Sequence, residues 1–134
     1  MNNLDELMVN IDSVWVPFEG QSPFEVQLSY IPRTEMTKLV ESCQETKMSR
    51  STRQMEKTLN SEKFLSKFVD RAIVSWKGLE LQVLENFIPI RYEEGKEKEE
   101  LKFSRENAIK LLKESQLFDD WVNEKISDID TFRQ

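Results

Sequence analysis

The sequence predicts an α+β fold, specifically a mainly α-helical single domain with an N-terminal β-hairpin. Two observations lead to this prediction. One early run alternates between apolar and polar residues at the strand period, and apolar residues recur at three and four positions in most of the later chain. The length of 134 residues suits one domain and is too short for two independent cores. We therefore expect one domain over residues 1–134.

The hairpin is predicted at about residues 11–31. Residues 24–31 alternate strictly, which places Phe24, Val26 and Leu28 on one face of a strand. A Gly-Gln-Ser-Pro stretch separates this run from the apolar run before it, and such residues are typical of a turn between two strands.

Four helices are predicted after the hairpin, at about residues 32–47, 61–77, 104–115 and 118–131. Pro32 suits the first turn of the first helix, and Gly78 suits the end of the second. Ser104 can cap the third helix, and Asp119 and Asp120 favour the positive end of the fourth helix dipole. The second helix has the longest apolar stripe, so we expect it to be the spine of the core.

Two charged segments lie between these helices. Residues 44–60 contain the basic side chains Lys47, Arg50, Arg53 and Lys57 with little apolar periodicity. The pattern favours a solvated connection or helix extension, with a phosphate or acidic-partner site as the alternative. The highly charged residues 93–100 are predicted to form an exposed loop.

The residue inventory excludes most catalytic chemistry. The chain has no histidine, and Cys43 is its single cysteine, so a Ser-His-Asp triad, an internal disulfide and an ordinary Cys/His zinc site are excluded. Cys43 lies on an apolar stripe and is predicted to be a small buried hydrophobe. The paired carboxylates follow no known calcium-loop spacing, and the three glycines form no phosphate loop. We therefore predict no enzyme activity, no cofactor and no metal.

Charge and hydropathy limit the partners and the location. The net charge of -6 disfavours binding to nucleic acid, which depends on a basic face. No apolar run reaches the roughly 18 residues needed to span a membrane. The acidic N-terminal run lacks the features of a secretory signal. We expect a cytoplasmic protein that binds neither nucleic acid nor membrane.

Three aromatic residues are candidates for binding a partner. Trp15 lies beside Pro17 on a strand that can leave one face free, and Phe18 follows it. Trp121 is the third candidate, although it lies on a helical stripe and burial in the core is its alternative. Trp76, on the stripe of the second helix, is assigned to the core.

Short motifs carry a resemblance to a known family. They are a helix ending in Ile73-Val-Ser-Trp-Lys-Gly-Leu79, the Phe103-Ser-Arg-Glu-Asn107 start of a helix, and Phe118-Asp-Asp-Trp-Val122. Together with the hairpin that leads into Leu28-Ser-Tyr-Ile-Pro-Arg-Thr-Glu35, they resemble the tail assembly chaperones of long-tailed bacteriophages. The resemblance spans most of residues 24–132, and residues 47–57 and 93–100 are the least similar.

The resemblance implies a non-enzymatic role in tail morphogenesis. Such proteins bind the long tape measure protein and keep it soluble in the host cytoplasm, and they are absent from the mature virion. A longer frameshifted form commonly adds a domain that meets the tail tube protein. Self-association stays open, because an apolar edge strand allows it.

Two other functions remain open from the sequence. The negative charge fits a small phage-encoded inhibitor or regulator of a host protein, whose binding would weaken steeply with salt. A minor structural subunit of the virion tail is the third interpretation.

Overall fold

The computed structural model describes residues 3–133. Within them the chain forms, in order, β1 (Val14–Pro17), β2 (Glu25–Leu28), α1 (Arg33–Ser42), β3 (Gln44–Met48), β4 (Met55–Leu59), α2 (Ser61–Ala72), β5 (Ile73–Lys77), α3 (Leu81–Leu84), α4 (Arg105–Glu114) and α5 (Gln116–Ser127), with short 3-10 helices at Leu4–Glu6 and Ile129–Phe132. Helices hold 42% of the residues and strands 19%, in two small antiparallel sheets. The fold is α+β, and the prediction of a mainly helical domain is wrong.

The larger sheet has the strand order β1-β2-β5, and both pairings are antiparallel. Its first two strands form the N-terminal hairpin. The alternation read from the sequence places Phe24, Val26 and Leu28 in the core, where each is at most 1% exposed. On β1, Val16 is buried and Trp15 and Pro17 point to the other face. Helices therefore cover one face of this sheet.

The predicted helix over residues 61–77 is divided at Ala72, and its second part is strand β5. Ile73 and Trp76 are both buried, and their spacing of three is typical of a helix. A β-bulge permits the same spacing in a strand. Ile73 pairs with Leu28 and Ser75 pairs with Gln27, so Val74 is the extra residue and is 46% exposed.

A second hairpin replaces the predicted end of the first helix and the connection after it. Helix α1 ends at Ser42 instead of near residue 47, and β3 pairs with β4 over residues 44–59, which we call the arm. The Asn60 N–H donates to the Cys43 carbonyl at 2.8 Å and closes the base of the arm. Almost every arm side chain is exposed. The sequence of the arm therefore lacks the alternation of apolar and polar residues by which a half-buried strand is predicted.

The core lies between the inner face of the larger sheet and helices α2, α4 and α5. Ser104 caps α4 by accepting from the Asn107 N–H, as predicted from the sequence. Ser115 caps α5 in the same way, so this helix begins at Gln116, two residues before the predicted start. The largest fully buried apolar side chains are Phe24, Phe118, Leu28, Leu79, Val26, Val69 and Val122.

Gly78 follows β5 instead of ending a helix. Its φ of +74° favours glycine, and a Cβ atom here would lie 2.2 Å from the Pro23 carbonyl oxygen. The charged run after α3 is exposed, but the chain folds back on α3 through backbone hydrogen bonds from Leu81 to Glu99 and from Gln82 to Glu97. These contacts hold the connection between α3 and α4 against the domain.

Candidate functional site

Phe18 and Trp121, two of the three predicted partner-binding residues, lie inside the domain. They are 5% and 7% exposed, and their rings stack with centroids 4.4 Å apart. The Trp121 indole N–H donates to Glu19, which also pairs with Lys125 at 2.8 Å. These contacts join the hairpin to α5 and leave little of either ring for a partner to touch.

Trp15, the third predicted residue, lies apart from the other two on the outer face of the larger sheet. It is partly exposed, and the Lys77 ammonium lies 4.3 Å from its ring centroid. Lys77 also pairs with Glu25 at 3.6 Å. A lysine held over the ring occupies the face that an apolar partner would need, so this surface is better suited to polar contacts.

A groove with exposed apolar residues lies where the N-terminal segment, residues 3–13, meets the start of α1. This N-terminal groove has a volume of about 500 Å³ and is lined by Met8, Val9, Asn10, Ile11, Tyr30, Pro32, Glu35, Arg71 and Ile129. A second depression of about 320 Å³ is lined by Tyr30, Ile31, Arg33, Met36, Thr37, Ile126 and Ser127. The two depressions share Tyr30, and both combine apolar with polar or charged lining residues.

Several apolar side chains that line the groove are unusually exposed to solvent. Met8 is 62% exposed and Val9 is 81% exposed, while Ile129, which also lines the groove, is 37% exposed. Leu4 and Leu7, in the same N-terminal segment, are 69% and 53% exposed. Exposed apolar residues grouped around a concave surface mark an interaction site more often than single scattered ones do.

An ion pair forms one end of the groove and links three parts of the chain. The Arg71 guanidinium donates to both oxygens of the Glu35 carboxylate and, at 2.9 Å, to the Tyr30 carbonyl. The hydrogen bond from Arg71 lowers the pKa of Glu35 and raises the pKa of Arg71, while desolvation opposes both shifts. Both residues are therefore ionised at neutral pH, and the pair forms a charged, hydrogen-bonded end of the groove.

Acidic residues flank the groove. Asp128 and Asp130 are adjacent to Ile129 in the chain, and Asp5, Glu6 and Asp12 are close in sequence to the lining residues of the N-terminal segment. Asp130 is paired with Arg133 at 2.9 Å. All five carboxylates are exposed. The combination of apolar walls and an acidic rim is complementary to an amphipathic segment that carries basic residues.

The arm is the second place where apolar residues are grouped on the surface. Its register pairs Met48 with Met55 and Gln44 with Leu59, and all four residues lie on the same face of the ribbon. Met48, Met55 and Leu59 are 65%, 60% and 44% exposed. Methionine is flexible and adapts to differently shaped partners, so this face is suited to binding.

The charge of the arm is opposite to that of the domain. Lys47, Arg50, Arg53 and Lys57 outnumber Glu45 and Glu56, which gives the arm +2 in a chain of -6 and leaves -8 on the remaining residues. Arg50 and Arg53 lie in the turn between β3 and β4, at the tip. The basic segment noted in the sequence is therefore a projecting ribbon. One of its faces carries three exposed apolar residues, with Thr46 and Lys57 between the methionine pair and Leu59.

Neither a metal centre nor a reactive thiol is found among residues 3–133. No group of three or more His, Cys, Asp or Glu side chains in that range is arranged to hold a metal ion. Cys43 is fully buried, as its place on an apolar stripe predicted. The longest helices described have 12 residues, or about 18 Å, and none is long and apolar enough to cross a bilayer of about 30 Å.

Comparison of this chain with protein-family models, with characterised protein sequences and with solved structures gave no match.

Sequence reasoning missed the groove and the exposed apolar residues of the arm. Met8 and Val9 lie in a run that was interpreted only by its acidity, and Met48 and Met55 lie in a segment interpreted by its basic residues. The alternation of Val14, Val16 and Phe18 could have placed Phe18 on the core side of β1. No pattern in the sequence marks an apolar residue as exposed, because that depends on what the fold leaves uncovered.

Proposed function

We propose that this protein is a non-enzymatic tail assembly chaperone of a long-tailed bacteriophage, which binds the tape measure protein and keeps it soluble during tail morphogenesis. The observation that supports this most directly is the N-terminal groove, whose apolar walls Met8, Val9 and Ile129 are exposed. The motifs quoted from the sequence suggest the family, although the first of them, quoted as the end of a helix, forms strand β5 over Ile73–Lys77. The groove adds a surface with exposed apolar residues.

The groove suits an amphipathic helix laid along α1. Such a helix presents apolar side chains at every third and fourth residue, which can contact the exposed apolar residues of the groove. Burying one side chain such as Val9 or Met8 contributes about 1.5–3 kcal/mol before the cost of association. One copy therefore binds weakly, and many copies along a long client supply the avidity.

The proposal includes a place and a time of action. The protein acts in the bacterial host cytoplasm before the tail tube polymerises, and it is not retained in the mature virion. A longer frameshifted form would bring the tail tube protein to the same complex. No cofactor is required, since covering an apolar client surface uses only binding energy.

Co-expression with tape measure segments tests this function. The Val9→Asp/Ile129→Asp double variant places two charges on the groove walls at positions that are already exposed, so it should fold. We expect it to lose most of the soluble client that the wild-type protein recovers. Leu117→Asp, a change at a 47% exposed residue of α5, is the matched control and should retain the client.

Equal client recovery with the groove variant and the wild type would contradict the groove as the client site. Failure of every tape measure segment to bind the wild type would contradict the chaperone function itself.

The acidic rim of the groove favours one alternative, a small regulator that blocks a basic surface of a host protein. Its binding should weaken about tenfold or more between 50 and 300 mM salt, because exposed charges are screened over about 10 Å at 0.1 M. Client binding through apolar contacts should change much less. A virion subunit, the other alternative, requires stoichiometric amounts of this chain in purified particles, which mass spectrometry measures.

A further inference from the structure

We infer that the arm of one copy of this protein docks into the N-terminal groove of a second copy, in a head-to-tail contact. This inference goes beyond the proposed function, and it concerns the free protein without any client.

The exposed apolar residues fall into two complementary groups. Ten large apolar side chains are exposed among residues 3–133, and eight of them belong to the N-terminal segment, to Ile129 beside it or to the arm. Met8, Val9 and Ile129 of the first group line a concave surface, and Met48, Met55 and Leu59 of the second lie on one face of a projecting ribbon, together with Lys57. A ribbon face and a groove have the shapes that allow both groups to be buried in one contact.

The charges of the two surfaces also favour pairing of the arm with the groove. The arm carries +2, with Arg50 and Arg53 at its tip. The exposed carboxylates Asp5, Glu6, Asp12 and Asp128 are close in sequence to residues that line the groove, and Asp130, also close, is paired with Arg133. An arm that enters the groove brings opposite charges together around the apolar centre. Two arms that pair with one another would instead bring two +2 segments side by side, and like charges on neighbouring strands are destabilising. The electrostatics therefore favour arm against groove over arm against arm.

The arm that enters the groove comes from a second molecule. No arm residue lines the groove of its own chain. The arm leaves α1 at its C-terminal end, whereas the groove lies at the first turn of the same helix, about 15 Å away along a helix of 10 residues. Each copy thus has one projecting element and one receiving surface, at opposite ends of α1.

A contact between two different surfaces has a defined consequence for assembly. Each copy can give its arm to one neighbour and receive the arm of another, so the contact propagates into a ring or an open chain. The contact also covers the apolar walls of the groove when no client is present.

Two complementary variants test the contact by light scattering after size-exclusion chromatography. Met48→Asp/Met55→Asp damages only the arm, and Val9→Asp/Ile129→Asp damages only the groove; all four residues are exposed, and circular dichroism verifies the fold. We expect wild-type protein to associate with increasing concentration, and each variant alone to be at least tenfold weaker in self-association. An equimolar mixture of the two variants should form a 1:1 heterodimer, because one supplies the intact groove and the other the intact arm.

The Leu117→Asp control should associate like the wild type. A wild-type protein that stays monomeric up to about 1 mM would overturn the inference, and so would a mixture of variants that fails to pair. Dissociation by the arm variant alone, with the groove variant still assembled, would overturn it in favour of arm-to-arm pairing. No client is present in any of these measurements, so their result is independent of whether the tape measure protein is bound.

Discussion

The domain and the arm belong to the same chain but are stabilised by different interactions. In the domain, Phe24 is 1% exposed and its ring lies within 6.2 Å of those of Phe18, Trp76, Phe87 and Phe118. In the arm, only Glu45 and Ser49 are even partly buried, and the strands are held by their own ladder and by the closing bond between Asn60 and Cys43. The domain is stabilised by burial, and the arm by local backbone pairing.

This difference separates residues that hold the fold from residues that are free to bind. A two-stranded ribbon with no apolar cover is only marginally stable on its own, so its side chains add little to the free energy of unfolding. The inferred contact with a second copy would bury apolar residues of this element, such as Met48 and Met55, outside their own domain.

The largest expected effect compares one apolar truncation in each region. Phe24→Ala should lower the free energy of unfolding by about 3–5 kcal/mol, because it removes a buried ring and leaves a cavity among four others. Met48→Ala should change it by less than about 0.5 kcal/mol, since that side chain is 65% exposed. Urea unfolding of both variants measures this. A cost above about 1.5 kcal/mol for Met48→Ala would mean that the arm packs on the domain.

A smaller effect distinguishes two glycines of the domain. Gly20→Ala should cost about 1–2 kcal/mol for its positive φ alone, because nothing lies within 4 Å of the added Cβ. Gly78→Ala should cost at least about 1 kcal/mol more, because its Cβ would lie 2.2 Å from the Pro23 carbonyl oxygen and the hairpin turn would have to move. Thermal unfolding of the pair gives the difference. Equal losses of unfolding free energy would show that the turn before β2 can shift to accommodate the added Cβ at little cost.

The smallest effect is the pH dependence of the ion pair at the groove. The pKa of Glu35 is lowered in the folded protein by Arg71, so the pair stabilises above the ordinary value of 4.5 and loses this contribution as pH falls through the lower folded value. The Glu35 side chain is 44% exposed, so the contribution should stay below about 1 kcal/mol. Urea midpoints of wild type and Glu35→Gln should differ at pH 6, and the difference should shrink as the pH falls below 4.5. A constant difference would assign the effect to packing.

The sequence predicted those elements whose side chains are sorted by burial. The strict alternation through Val26 and Leu28 identified β2, and the Ser104 cap identified the start of α4. The same reasoning gave the wrong element for Ile73–Lys77, because the β-bulge at Val74 produces the spacing of a helix in a strand. A helix that passes into a strand without Gly or Pro between them leaves no boundary for sequence reasoning to detect.

The binding surfaces were harder to predict than the fold. Trp15, Phe18 and Trp121 were selected for their size and aromatic character, and size also makes a residue valuable in the core, which is where Phe18 and Trp121 lie. The groove forms only when the N-terminal segment, α1 and Ile129 meet in three dimensions. Its residues are separated by more than a hundred positions along the chain, so no local pattern could have grouped them.

The hydrogen bond at the base of the arm has a consequence for protein engineering. Because the Asn60 N–H and the Cys43 carbonyl are 2.8 Å apart, the two ends of the arm leave the domain side by side. A segment with adjacent ends can be exchanged for another of different length without altering the path of α1 into α2. This position is a natural attachment point for a grafted recognition peptide or a fluorescent reporter, displayed on a domain whose core does not depend on it.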